Sequence, residues 1–157
     1  MRSIRHILLA SVLTVSAFSA VTFTSCKKDD EGCAVGYTGS NCKTEVRTTY
    51  YNTYKGNGSD NAGGTYTNWS MRFNALGTDP LKMSLVLQDA TTAPVVAATV
   101  TLTSNTTFTV DNTTIGNYTY SGSGTVNTNS ASLSLTEVEA GSPPVTTVYS
   151  FNNMLKQ

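Results

Sequence analysis

The side chains able to do chemistry are few in this chain of 157 residues. Its single histidine, His6, lies close to the N-terminus. Nucleophilic catalysis of the Ser-His-Asp or Cys-His kind needs an imidazole base. A histidine metal site needs the same ring. If the N-terminal segment is removed, neither is left. Beyond residue 46 the acids are Asp60, Asp79, Asp89, Asp111, Glu137 and Glu139. Most fall in turns or at strand ends, where a solvated surface role is the default. Glu137 and Glu139 form the close pair, because residues two apart on a strand share a face about 7 Å apart. They read as an exposed edge or rim rather than a paired-carboxylate hydrolase. The expectation is a chain that is not an enzyme and holds no cofactor or metal.

The aromatic residues are the other resource. Tyr66, Trp69, Phe73, Phe108, Tyr118, Tyr120, Tyr149 and Phe151 are the candidates for a barrel interior, as core or as ligand-facing rings. Eight-stranded barrels either fill that interior with side chains or hold one small ligand. With strands this short, the filled core is the favoured expectation.

The elements that must position these residues are strands. From Arg47 onward the chain is rich in Thr, Ser, Asn, Tyr and Val, residues of strands and turns. Met83, Leu85 and Leu87 alternate with polar neighbours, as do Val96, Ala98, Val100 and Leu102, and Trp69, Met71 and Phe73. Each is a period-2 pattern with one buried face. The expected strands are 50–56, 64–75, 81–89, 94–103, 106–111, 117–126, 131–139 and 145–152. Turn clusters separate them at 57–61, 77–80, 112–116, 127–130 and 141–144. In Leu133 to Ala140 the alternation puts Glu137 and Glu139 on the apolar face, so a bulge near Thr136 or an early strand end is expected. The fold class is all-β: an antiparallel meander of about eight strands, closed as a small up-and-down barrel that leaves no open edge. A β-sandwich is the rival. Ser121-Gly122-Ser123-Gly124-Thr125-Val126 and Thr44-Glu45-Val46-Arg47 resemble segments of calycin-like (lipocalin-like) barrels on Bacteroidota surface lipoproteins. That resemblance covers most of 44–152 and carries no catalytic signature. The lipocalin Gly-x-Trp is not matched, since Trp69 lies in the second expected strand.

The N-terminus carries an address. Arg2, Arg5 and His6 precede an apolar run, Ile7 to Val21, and small residues lead to Cys26. This is the order of a cleavable secretory signal. Phe23-Thr24-Ser25-Cys26 resembles the relaxed lipobox of Bacteroidota lipoproteins, which implies lipidation of Cys26. An uncleaved anchor helix and simple secretion are the alternatives. Lys27-Lys28-Asp29-Asp30-Glu31 reads either as a solvated tether or as resembling the export tag of surface-displayed lipoproteins.

Spending Cys26 on lipid leaves Cys33 and Cys42, which the oxidising envelope would pair as a disulfide. So short a loop contributes about 2–3 kcal/mol. Cys33 to Cys42, with Gly36, Tyr37 and Gly39, resembles the last loop of an epidermal-growth-factor-like module. Glu31 stands where an upstream cysteine would be, so only a fragment is present. It reads as a stapled spacer rather than a binding site.

Removing Arg2 and Arg5 leaves 8 basic against 10 acidic residues. No basic patch points to nucleic acid. The expected organisation is a signal peptide at 1–25, a tether with the EGF-like fragment at 26–45 and a β-barrel domain at 46–157. The expected location is the outer membrane, lipid-anchored through Cys26 and exposed at the cell surface. The expected role is a binding module for a small apolar or glycan ligand, or for a protein partner. A structural or adhesive envelope protein with a filled barrel is the alternative.

Overall fold

The structure, a computed structural model, describes residues 32–157. The signal segment, Cys26 and the charged tether lie outside the described residues. Two short strands, β1 (Tyr37–Thr38) and β2 (Thr44–Glu45), form an antiparallel hairpin closed by the Cys33–Cys42 disulfide. A 3₁₀ turn, Val46–Tyr50, follows. Then come β3 (Thr53–Asp60), β4 (Thr65–Ala75), β5 (Lys82–Gln88), β6 (Pro94–Leu102), β7 (Thr107–Ile115), β8 (Tyr118–Val126), β9 (Ser130–Glu139) and β10 (Val145–Lys156). All eight pair antiparallel with their chain neighbours, and β10 returns to β3. The expected all-β, closed, up-and-down barrel is the fold.

Alternation builds the wall. Met83, Leu85 and Leu87 on β5 and Val96, Ala98, Val100 and Leu102 on β6 face inward and are buried. Phe73, Phe108 and Phe151 join them at the axis. Each of these side chains other than Ala98 contributes about 1.5–3 kcal/mol through burial. Inward glycines make room for the rings. A Cβ on Gly124 would lie 2.4 Å from Cζ of Phe108, and one on Gly58 would lie 2.4 Å from Cδ1 of Phe151. The interior is therefore filled.

The barrel has two unlike ends. One is closed by the 3₁₀ turn, whose Val46, Arg47 and Tyr50 are buried. Arg47 donates to the carbonyls of Lys82 (2.9 Å), Leu76 (3.2 Å) and Gly77 (3.3 Å), and its Nε to Glu45 (2.7 Å). The disulfide hairpin is docked on this same end. The Gly36 amide donates to Asn105 Oδ1 at 2.9 Å, and Asn105 Nδ2 donates to the Tyr37 carbonyl at 3.2 Å. The stapled segment is thus seated on the β6–β7 loop, where the sequence suggested a spacer. The opposite end carries the turns 61–64, 89–93, 116–117 and 140–144 and is open.

Several sequence expectations need correction. The strand expected at 50–56 starts at Thr53 and runs on to Asp60, so Asn57 to Asp60, read as a turn, is strand. Glycine there serves the Phe151 ring, not a bend. The turn expected at 112–116 is β7 as far as Ile115. β10 extends to Lys156. The expected bulge near Thr136 is absent: β9 keeps unbroken register with β8 from Ala131 to Glu139. Bulges fall instead on β4, β6, β7 and β10. Trp69 pairs with Gly56 and Tyr66 with Gly58, three residues against two, with Asn68 at φ 57 between them. Phe151 and Met154 pair with Leu133 and Ala131 in the same way, with Asn153 at φ 50.

Candidate functional site

The site follows from these bulges and from the uninterrupted β9. An ordinary strand would send Tyr66 and Trp69 to opposite faces. The extra residue at Asn68 returns both to the interior near the open end. On β9, Leu133, Leu135 and Glu137 share one inward face. Glu137 is half-buried in the mouth, where the sequence led us to expect an exposed edge or rim. β8 brings Tyr120 and β10 brings Tyr149 to the same depth.

Together these strands line a cavity of about 80 Å³. Its walls are Tyr66, Trp69, Tyr120, Tyr149 and Glu137, with Leu87, Val95, Val96 and Leu135 completing the apolar lining. Tyr66 lies 5.1 Å from Trp69 and 5.6 Å from Tyr149 between ring centroids, at interplanar angles of 61° and 56°. Trp69 stacks on Phe151 at 5.4 Å, which fixes the indole against the core.

The polar atoms of the mouth are tied to one another. The Tyr149 hydroxyl donates to Glu137 Oε1 at 3.1 Å. Burial, and then the Glu137 carboxylate, pushes the Tyr149 hydroxyl well above the ordinary phenol range. The same two causes, in the same order, raise Tyr120. Tyr66 donates to Asp60 Oδ2, and that bond, with burial second, pushes Tyr66 up to about 12. Asp60 is held below the usual carboxylate range, first by that tyrosine and then by the Gly64 amide. All three phenols therefore keep their protons at neutral pH, and Tyr66 and Tyr149 act as donors to acids.

Of the eight aromatics singled out from sequence, Tyr66, Trp69, Tyr120 and Tyr149 meet in the mouth. Phe73, Phe108 and Phe151 belong to the buried core. Tyr118 lines neither: it is 36% exposed on the rim, with its hydroxyl 3.4 Å from Glu139. Glu137 is the lining residue that the sequence reading placed at an exposed edge or rim. Its signal was present, since it continues the Leu133–Leu135 phase, but a carboxylate on an apolar face reads as a phase break.

A wider groove of about 530 Å³ runs past Arg72, Asn74 and Gln157 near the closed end. It lies open to solvent. Among the described residues no group of three or more His, Cys, Asp or Glu stands close enough to hold a metal, and no helix is long and apolar enough to cross a membrane. Comparison with protein-family models, with curated proteins and with solved structures returned no match for this chain.

Proposed function

We propose that this chain is a lipid-anchored cell-surface protein, attached through Cys26 to the outer membrane, whose barrel is a non-enzymatic binding module working through its open mouth. The observation that carries the reading is the opposition of the two ends. The segment that follows the lipidation site is seated on the closed end, and the aromatic cavity opens at the other. A chain tethered at its N-terminus would point that cavity away from the membrane. At about 80 Å³ the cavity is far below the roughly 300–1,000 Å³ of sites that engulf a drug-sized ligand. It suits one compact group of a small apolar or glycan ligand, or one side chain of a protein partner.

The second reading is a structural or adhesive envelope protein. The solid interior favours it, with Phe73, Phe108 and Phe151 no more than 1% exposed. Trp69 is the chain's only tryptophan and lines the mouth, so its emission reports occupancy. Purified protein is titrated with a panel of neutral sugars, fatty acids, alcohols, amines and short peptides, following that emission and thermal stability. A saturable response from any class supports the binding module. Silence across the panel rejects it in favour of the structural reading. Mass spectrometry of the protein from its own membrane tests the address: an N-terminus other than acylated Cys26 overturns it.

A further inference from the structure

The mouth is a box rather than a platform. Sugars stack on an exposed, flat ring face. Here the Tyr66 ring meets Trp69 edge-on and Tyr149 at a tilt, at 61° and 56°, and all three line the same small cavity. The hydroxyls of Tyr66 and Tyr149 already donate to Asp60 and Glu137. Little donor capacity remains for a polyhydroxylated or anionic ligand. What the walls offer is aromatic rings and the Glu137 carboxylate.

Charge placement agrees. All six basic residues among the described ones, Lys43, Arg47, Lys55, Arg72, Lys82 and Lys156, lie on the hairpin, the 3₁₀ turn or the half of the barrel next to them. None stands at the open end. Asp60, Asp89, Glu137 and Glu139 do. The field at the mouth therefore attracts cations and repels anions. A small inorganic cation would lose too much hydration against aromatic walls. An alkylated ammonium is weakly hydrated, and aromatic cages bind it through the ring quadrupole.

Resting on the reading of the mouth as a binding site, we infer that its ligand group is an alkylated ammonium headgroup of trimethylammonium size, held by Tyr66, Trp69, Tyr120 and Tyr149 and balanced by Glu137. The headgroup fills the cavity while the rest of the ligand lies outside over the rim.

The test is Trp69 emission of the full-length protein, titrated with choline chloride at constant ionic strength. The comparison is 3,3-dimethylbutan-1-ol, which has the same shape with carbon in place of the charged nitrogen. The expected result is saturation by choline and at least about tenfold weaker response to the neutral alcohol. Glu137→Gln should weaken choline by about tenfold and leave the response to the alcohol unchanged. A parallel arm uses phosphatidylcholine vesicles. A response to choline alone assigns a free small molecule, and a response to both assigns a lipid headgroup as well; each supports the inference. Equal response to choline and its neutral counterpart overturns the cation preference and leaves the mouth as an apolar site. No response to choline, with another class of the panel active, also overturns it. The wild-type comparison needs no variant, so a poorly folding Glu137→Gln would not shield the inference.

Discussion

At the scale of single residues, two features are most exposed to test: inward glycines and raised phenols. Gly58 and Gly124 are wall positions where a ring from the neighbouring strand replaces the side chain. Gly58→Ala places a methyl 2.4 Å from the Phe151 ring and 2.9 Å from the Ser150 carbonyl. Overpacking of this kind costs about 1–3 kcal/mol. Urea unfolding should show that loss. Combining Gly58→Ala with Phe151→Leu should cost less than the sum of the single changes, because the clash is shared. Strict additivity would mean that ring and glycine are not coupled. The phenols govern alkaline stability. Burial, then the neighbouring Tyr50, pushes Tyr54 up to about 12 from an ordinary 10, and Tyr66, Tyr120 and Tyr149 move the same way. The unfolded chain thus gives up these protons first. Their stabilisation is complete below about pH 10 and is lost as pH rises through about 12. Denaturant midpoints should hold level from neutrality to about pH 10 and then fall. Tyr54→Phe should make that fall shallower. A midpoint still level at pH 12 would contradict the assignment.

At the scale of elements, the bulges decide which residues meet. Asn68 and Asn153 sit at φ 57 and 50, a region asparagine adopts far more readily than β-branched residues do. Asn68→Val should destabilise the barrel by about 1–3 kcal/mol, whereas Asn68→Gly should be close to neutral. Deleting Asn68 should do more. It would turn Tyr66 outward, open the mouth and change Trp69 emission. Unchanged emission in a folded deletion variant would disprove the register argument. These bulges also mark the limit of what the sequence reveals. β5 and β6 were legible because Met83 to Leu87 and Val96 to Leu102 alternate without a break. β3 was read short because Asn57-Gly58-Ser59 has turn composition. Its glycine answers to a ring on β10, about 90 residues away in sequence, which no local pattern can announce. In β9 the alternation was seen and then rejected, since Glu137 on an apolar face looked like an error. The strand is regular, and the exception is a carboxylate that lines the mouth. Four of the aromatics picked from sequence do line the mouth. Their grouping depended on bulge positions that composition does not encode.

At the scale of the whole molecule, the two ends share one barrel wall but are built differently. The closed end is held by Arg47, whose buried guanidinium bonds three carbonyls from β5 and the loop before it. Arg47→Met keeps much of the stem packing and strands those acceptors. It should cost about 1–3 kcal/mol, with hydrogen exchange rising first around residues 76–82. The disulfide acts further out. It closes the hairpin, and the hairpin is held to the barrel by the Asn105 side chain and by the Val46 amide donating to the Gly36 carbonyl at 2.9 Å. None of these bonds reaches the walls of the mouth. Replacing Cys33 and Cys42 by alanine should therefore weaken the hairpin by about 2–3 kcal/mol and speed amide exchange in residues 33–46. The barrel's denaturant midpoint and the Trp69 titration should stay as they were. If loss of the staple changed ligand response at Trp69, the ends would be coupled through the wall. The closed end would then regulate the mouth instead of only carrying it.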